Sequence, residues 1–239
     1  MPVDNRKNLS NLKALIFDYG DVLCLPPTAE DIEGSARILG ISADSYRELW
    51  GRNRDLYDRG DLSWETYWRM FADDAGTRLD EAQLQELSKR DVAMWSRLNP
   101  DMVEWLVSLS CAGMKTAVLS NMHMEMVLHA RRSFQWLDRV NCTIFSAEVR
   151  LIKPDPAIYQ HCMRGLNVAP SDCLFIDDRE VNIAAARAMG VHAIQFQSMR
   201  QLRSDLEKMG FHTLPPMTGV GNTRLDLNLD SSLRPGEQS

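Results

Sequence analysis

Short runs of apolar residues recur along the chain, and each is separated from the next by a longer segment. The runs lie at 13–17, 116–119, 143–145, 173–176 and 192–196. Runs of this length are typical of strands that are buried on both faces of a parallel sheet. The intervening segments that show helical spacing lie at 102–109, 122–132, 156–164 and 181–189. This alternation predicts an α/β fold built on a doubly wound, Rossmann-like parallel sheet.

The region from 28 to 98 follows a different pattern, because it shows helical spacing and no convincing strand. Ser63 and Asp80 stand where helix N-caps are expected, and Gln83 would complete a reciprocal cap with Asp80. We therefore predict a small α-helical domain inserted into the α/β core. The predicted division is a core at 12–25 and 99–213, a helical domain at 26–98, and an unstructured tail at 214–239.

Charge and hydropathy exclude several classes of protein. The 239 residues carry a net charge of −6, so nucleic-acid binding through a general positive field is not expected. The sequence contains no apolar run of about 18 residues, so no membrane span is expected. The segment Met1 to Leu12 is polar, so no secretory signal is expected either. Five cysteines without a CxxC pair fit a reducing compartment. We expect a cytoplasmic protein with neither nucleic-acid nor membrane partners, and the sequence makes no prediction of its oligomeric state.

Polar side chains follow the predicted strands or the short segments just after them. They are Asp18, Ser120–Asn121, Lys153 and Asp177–Asp178. Because the carboxyl ends of parallel strands share one edge of a sheet, where ligands bind, we expect these side chains to form a single site.

The charges of this predicted site indicate its chemistry. Three carboxylates close together repel one another, which raises the pKa of some of them. A hard divalent cation such as Mg²⁺, which prefers oxygen ligands, removes this repulsion. Lys153 would add a second positive charge, and Ser120 would offer a hydroxyl group. Such a set suits phosphoryl transfer to Asp18.

Four segments in this order resemble the signature motifs of the haloacid dehalogenase (HAD) superfamily. They read LIFDYGDVL, AVLSN, IKPDPAIY and LFIDDREVN. Each motif alone is weak, but the ordered set is highly specific, and the resemblance covers roughly residues 12–197. The helical region matches the position and size of the helical cap in that family. The most similar subgroup contains α-D-glucose-1-phosphate phosphatase and the phosphatase domain of soluble epoxide hydrolases.

The resemblance implies a role for each motif residue. Asp18 would be the nucleophile that becomes an aspartyl-phosphate. Magnesium would be held by Asp18, the backbone carbonyl of Gly20 and Asp178, with Asp177 as an outer or alternative ligand. Ser120, Asn121 and Lys153 would bind the substrate, and Ser120 and Lys153 would also stabilise the phosphoryl charge. Asn182 stands where many relatives have Asp, and would support the metal site more weakly.

One position departs from the family pattern. Phosphatases of this family read Asp-x-Asp, and the second Asp protonates the leaving group and later activates water. Here that position is Gly20, and Asp21 follows one residue later. A general acid must reach the leaving oxygen, and a shift of one residue in a turn need not allow this. Gly is also found at this position in the glucose-1-phosphatase-like subgroup.

The main hypothesis is a magnesium-dependent phosphohydrolase that acts on a small phosphorylated metabolite, with a sugar phosphate as one option. A 2-haloacid dehalogenase would also use Asp18 as its nucleophile. That chemistry needs no metal, so Asp177 and Asp178 would contribute only negative charge. A weakly active binding or regulatory module is the third hypothesis, and Gly20 motivates it.

Other residues have simpler interpretations. The histidines show no metal-ligand spacing and are expected at the surface or at caps, with pocket lining as the alternative for His123. The aromatic residues expected in the core of the helical domain are Trp64, Tyr67, Trp68 and Phe71. The arginines expected mostly on a solvated face are Arg52, Arg54, Arg59 and Arg69. The alternative is that one of them reaches an anionic or sugar substrate, and the sequence does not show which.

Overall fold

The computed structural model describes residues 12–210, which form five strands, eleven α-helices and two short 3-10 helices. The strands are β1 (Ala14–Phe17), β2 (Lys115–Ser120), β3 (Cys142–Phe145), β4 (Cys173–Asp177) and β5 (His192–Gln195). The helices before β2 are α1 (Ala29–Leu39), α2 (Ala43–Trp50), α3 (Arg54–Asp58), α4 (Trp64–Asp74), α5 (Glu81–Met94) and α6 (Pro100–Cys111). The later helices are α7 (Met124–Ser133), α8 (Ser146–Val149), α9 (Pro156–Leu166), α10 (Glu180–Ala188) and α11 (Met199–Lys208). The 3-10 helices are Gln135–Arg139 and Pro170–Asp172.

The five strands form one parallel sheet in the order β3-β2-β1-β4-β5. The central strand β1 is buried along its whole length, as its unbroken apolar run predicts. Leu15 and Phe17 face one apolar layer, which includes Trp105 of α6, whereas Ala14 and Ile16 face another. Helices therefore cover both faces of the sheet, and the predicted doubly wound α/β fold is confirmed. No helix within residues 12–210 is both long enough and apolar enough to cross a bilayer.

The observed elements differ from the predicted ones mainly at their ends. Strands β2 and β4 each run one residue further than predicted, so Ser120 and Asp177 are the last residues of their strands. The helix predicted from 122 begins at Met124, because the His123 side chain accepts a hydrogen bond from the Met126 amide as the N-cap. The tail predicted at 214–239 lies outside the described residues.

The five helices α1 to α5, here called the helical insert (residues 29–94), build an apolar core of their own. Its largest buried members are Tyr46, Tyr57, Tyr67, Trp68 and Phe71. The predicted caps are present: the Ser63 hydroxyl accepts from the Thr66 amide, and Asp80 and Gln83 cap each other reciprocally. Trp64 is only partly buried and packs at the edge of this core.

Two chain segments connect the helical insert to the sheet, and they run side by side. Cys24 and Leu98 form an isolated antiparallel bridge. The Leu25 amide donates to the Arg97 carbonyl at 2.7 Å, and the Asn99 amide donates to the Leu23 carbonyl at 2.9 Å. The chain therefore leaves the core and returns to it at one place.

The prediction that Arg54 lies on a solvated face is wrong. Its side chain is only 14% exposed, whereas those of Arg52 and Arg69 are more than half exposed. The Arg54 guanidinium lies 3.0 Å from Asp58 Oδ1 and 2.9 Å from Asp91 Oδ2. It also packs over the aromatic rings of Trp50, Tyr57 and Tyr67. Because both carboxylates are buried, they need this cation.

Replacing Arg54 with Met is therefore expected to lower the free energy of unfolding by about 3–5 kcal/mol, since it removes the guanidinium group that pairs with two buried carboxylates. Urea denaturation followed by circular dichroism measures the change. The matched control is Arg69→Met, which breaks an exposed pair with Glu81 and is expected to cost at most about 1 kcal/mol. Similar losses in the two variants would contradict the interpretation.

Candidate active site

The carboxyl ends of three adjacent strands bring four of the predicted site residues together. Asp18 follows β1 directly, Asp177 ends β4 and Asp178 comes next. One carboxylate oxygen from each of these residues lies within 4.8 Å of the others. Ser120 ends β2, on the other side of β1, and is buried. The sheet order thus places residues that are more than a hundred positions apart in one cluster.

Lys153 is the cation of this cluster. Its Nζ atom lies 2.7 Å from Asp18 Oδ1 and 2.7 Å from Asp177 Oδ2, and the residue is 3% exposed. Burial alone would lower the pKa of this ammonium group, but the charges of Asp177 and Asp18 outweigh that effect and raise it. Lys153 is therefore held in its charged form between the two carboxylates.

Asn121 positions the lysine from the neighbouring strand end. Its Nδ2 atom donates to the Lys153 carbonyl at 2.9 Å, and its Oδ1 atom accepts from the Lys153 amide at 2.8 Å. Both ends of the amide are thus bonded to the backbone of one residue. Asn121 also lines the cavity described below, so a substrate contact remains a prediction.

The two adjacent carboxylates of β4 have opposite environments. Asp177 accepts hydrogen bonds from Lys153, the Arg179 amide and the Asn182 side chain. Burial favours its neutral form, but the Lys153 charge and these hydrogen bonds outweigh burial and lower the pKa of Asp177. For Asp178, burial and the charges of Asp177 and Asp21 raise the pKa to about 6. Asp178 is therefore the less compensated of the two carboxylates.

Asp18 is buried and carries both of its close contacts on one oxygen. Oδ1 accepts from the Tyr19 amide at 2.7 Å and lies beside Lys153. Burial raises the pKa of Asp18, the Lys153 charge lowers it, and the charges of Asp177 and Asp178 raise it again, so that the net shift is well upward. The other oxygen, Oδ2, is left to act as a ligand or a nucleophile.

The charge balance fits a divalent cation. Three carboxylates from Asp18, Asp177 and Asp178 converge, and Lys153 alone among the described residues pairs with them, so about two negative charges are left uncompensated. Carboxylate oxygens are the ligands that Mg²⁺ prefers. The donor set therefore fits this ion, and the raised pKa values of Asp18 and Asp178 are the ones that a bound cation would lower.

A cavity of about 180 Å³ lies between this edge of the sheet and the helical insert. The predicted residues that line it are Asp18, Gly20, Ser120, Asn121, Lys153 and Asp178, whereas Asp177 lies behind them. The Ser120 hydroxyl donates weakly, at 3.3 Å, to the Asn121 carbonyl. Trp50, Arg54 and Asp58 of the insert, and Trp95 after it, also line the cavity. Side chains from both parts of the chain thus line the cavity.

His123 is 1% exposed and lines the cavity. Its Nδ1 atom lies 3.2 Å from Glu125 Oε2, and its Nε2 atom lies 3.3 Å from Asp91 Oδ2. Its ring stacks on Tyr57 with centroids 4.5 Å apart. His123 is therefore a capping residue, as predicted, that also lines the cavity, which was the alternative suggested by its closeness to Ser120–Asn121.

Asp21 also reaches the cavity from the turn after β1. Its backbone has φ of 53°, in the left-handed region that non-glycine residues rarely adopt. Its Oδ1 atom is buried without a hydrogen-bond partner among the described residues, and burial raises the pKa of its carboxyl group. The carboxyl group thus faces the site without a partner of its own.

Most of the chain matches a known protein family. Residues 12–190 match the family described as haloacid dehalogenase-like hydrolase. (S)-2-haloacid dehalogenase 1 of Pseudomonas sp. (strain CBS-3) is 28% identical over 204 residues, which are 80% of this chain and 86% of that protein. The sesquiterpene phosphatase astK of Aspergillus oryzae is 24% identical over 189 residues, which are 76% of this chain and 88% of that protein.

A solved structure shares the fold at lower sequence identity. It is that of a HAD-family enzyme of Bacteroides thetaiotaomicron in complex with magnesium and inorganic phosphate. It superposes with a TM-score of 0.63 at 18% identity, covering 80% of this chain and 98% of that one. At this identity the likeness concerns the fold.

Proposed function

The chain belongs to the haloacid dehalogenase-like hydrolase family, and we propose that it is a magnesium-dependent phosphohydrolase of small phosphorylated metabolites. One observation carries the proposal. The oxygens of Asp18, Asp177 and Asp178 lie within 4.8 Å of one another, with one ammonium group beside them. A hydrolase that needed only a nucleophile would gain nothing from this excess of buried negative charge, whereas one that holds a divalent cation requires it.

The residues of the site have distinct roles in the proposed reaction. The Asp18 carboxylate attacks the phosphorus atom, the bond to the leaving oxygen breaks, and an aspartyl-phosphate forms. Water then attacks this phosphorus and releases inorganic phosphate, which regenerates the carboxylate. Lys153 stabilises the charge on the transferring oxygens, and Ser120 contributes a hydroxyl donor from the end of β2. Asn121 and Asp177 hold Lys153 in place.

Magnesium is the cation that we propose for this site. Asp18, Asp178 and the backbone carbonyl of Gly20 are the proposed ligands. Asp177 is a weaker candidate, because its oxygens already accept four hydrogen bonds. When bound, the ion would neutralise the carboxylates and polarise the phosphoryl oxygens. The Bacteroides enzyme of the same fold was solved with magnesium and phosphate, which supports this choice.

The proposed substrates are compact phosphate esters, including sugar phosphates. The cavity is small, and side chains of the helical insert form part of its lining. We propose that the insert, at the predicted boundaries 26–98, is a cap domain that selects the leaving group. Cytoplasmic location stays a prediction from the sequence.

Magnesium removal is expected to abolish hydrolysis. A panel of phosphate esters, from 4-nitrophenyl phosphate to hexose phosphates, is incubated with millimolar Mg²⁺ or with excess chelator, and free phosphate is measured. We expect release with Mg²⁺ and a loss of at least about 100-fold with chelator, because the cation supplies charge stabilisation of several kcal/mol. Restoring Mg²⁺ should restore the rate.

A binding measurement separates metal loss from damage to the fold. Calorimetric titration of the whole protein with Mg²⁺ should show one site, and Asp178→Asn should weaken it. The control Asp205→Asn changes a half-buried carboxylate of α11 that does not line the cavity and should leave the titration unchanged. No release of phosphate from any ester, or full activity with chelator, would show that the proposal is wrong.

A 2-haloacid dehalogenase is the second candidate, because the dehalogenase of Pseudomonas is similar over most of both chains. Such an enzyme would bind an anionic substrate beside Asp18 without a metal. In this site both buried cations are already paired, Lys153 with two carboxylates and Arg54 with two others. Chloride release from 2-chloropropionate that chelator does not affect would favour this candidate.

A further inference from the structure

Two cysteine side chains meet where helix α9 packs on strand β3. Cys142 is the first residue of β3 and is half-buried, whereas Cys162 of α9 is fully buried. Both lie in the apolar layer that contains Ala14 and Ile16. Neither of them lines the cavity or belongs to the carboxylate cluster. The proposed hydrolysis therefore makes no use of these two thiol groups.

The backbone of α9 explains how the two sulfur atoms come together. Gly165 follows Cys162 by three residues, and residues three apart lie on the same face of a helix. A Cβ atom built on Gly165 would lie 2.8 Å from Cys142 Sγ. The sulfur atom of Cys142 therefore lies directly against the face of α9 that carries Cys162, and the missing side chain of Gly165 leaves room for it. The two thiol groups are hydrogen-bonded to each other.

The two thiol groups differ in exposure and in how readily they ionise. Cys142 is the one that a small solute can reach, because Cys162 is fully buried. The hydrogen bond that Cys162 donates lowers the pKa of Cys142 to about 7, and it outweighs the opposing effect of burial. The same hydrogen bond and burial raise the pKa of Cys162. Since the thiolate is the reactive form of cysteine, Cys142 is the nucleophile of the pair.

We propose that Cys142 and Cys162 form an oxidation site, at which a hydroperoxide converts the two thiols to an intramolecular disulfide. The Cys142 thiolate attacks one peroxide oxygen, the O–O bond breaks, and Cys142 becomes a sulfenic acid. The leaving hydroxide takes up the proton that Cys142 had released. The Cys162 sulfur then attacks the Cys142 sulfur, the S–O bond breaks, and hydroxide leaves as water with the Cys162 proton. The sulfur atoms lose two electrons, and hydrogen peroxide becomes two water molecules.

This oxidation site lies apart from the candidate active site. Cys142 is in register with Ala117 of β2, three residues before Ser120. At the rise of a parallel strand, about 3.3 Å per residue, Cys142 lies about 10 Å from the sheet edge at which the catalytic cluster forms. The proposal is therefore independent of the phosphohydrolase function, and its test needs no measurement of activity.

Peptide mapping of the whole protein tests the proposal. The reduced protein is treated with a small excess of hydrogen peroxide, its remaining thiols are alkylated, and it is digested with trypsin without reductant. Each of the five cysteines falls in a different tryptic peptide, so mass spectrometry identifies every link. We expect a disulfide between peptides 140–150 and 151–164 as the main product, and a reductant should separate them. Oxidation that leaves Cys142 unlinked, or links it mainly to another cysteine, would overturn the proposal.

Single variants separate the roles of the two thiols. Cys162→Ser keeps a hydroxyl donor for Cys142 but cannot form the disulfide, so Cys142 should remain a sulfenic acid that dimedone labels. In Cys142→Ser, the buried Cys162 should stay reduced. The matched control Cys111→Ser removes an exposed cysteine at the end of α6 and should leave the linked fraction unchanged. Loss of the link in the control, or oxidation of Cys162 without Cys142, would show that the proposal is wrong.

Discussion

Asp18→Asn is expected to reduce kcat for phosphate esters by at least about 10⁴-fold, because loss of a nucleophile removes the covalent step itself. The variant keeps the size of the side chain, and Lys153 keeps its pair with Asp177. The substitution removes one negative charge from a cluster of three carboxylates, so the thermal midpoint of the metal-free protein should stay constant or rise. Phosphate release and thermal denaturation measure the two effects.

The combination of lost activity and retained stability is what identifies a nucleophile here. Asp205→Asn serves as the control, since Asp205 is a half-buried partner of Lys208 outside the cavity, and it should leave kcat within about twofold. An Asp18→Asn protein that is folded and keeps more than a hundredth of the activity would contradict the assignment.

Lys153→Met is expected to affect both activity and stability. The ammonium group lies 2.7 Å from each of two buried carboxylates. Its removal leaves both without a cation, which should lower the free energy of unfolding by about 3–5 kcal/mol. The rate should fall by about 10³-fold or more, because the charge that faces the transferring phosphoryl group is lost. Urea denaturation and phosphate release measure these effects.

Two further variants separate the structural effect of Lys153 from the catalytic one. Lys13→Met breaks an exposed pair with Asp172 and should cost at most about 1 kcal/mol. Adding Asp177→Asn to Lys153→Met removes one of the unpaired carboxylates, so it should recover part of the stability. It should recover none of the activity. Recovery of both would show that Lys153 acts only through folding.

Much of the fold could be predicted because the decisive signals are local in the sequence. The apolar run before Asp18 and the one before Asp177–Asp178 indicate buried parallel strands. Because the carboxyl ends of parallel strands lie at the same edge of a sheet, these residues could be predicted to lie close together. The Asp80–Gln83 cap was predicted for the same reason, since both partners lie within one turn of helix.

The buried charges of the helical insert could not be predicted in this way. Arg54 meets Asp91, which is 37 residues away, and Asp91 meets His123 of the core. Helical spacing shows which face of a helix is apolar, but it does not show which charged side chains meet across two packed elements. The contact of Trp95 with the space beside Gly20 likewise depends on how the insert returns to the sheet.

The paired crossing of the chain at Cys24 and Leu98 has a consequence for how this protein could change over time. Since the exit and the return lie next to each other, everything between them can be lengthened, shortened or exchanged without moving the ends that the sheet must hold. An insertion of more than seventy residues therefore leaves the geometry of the five-stranded sheet as unchanged as a tight hairpin at the same place would. The proposed cap can therefore be exchanged as a whole, while the residues at the edge of the sheet keep their arrangement.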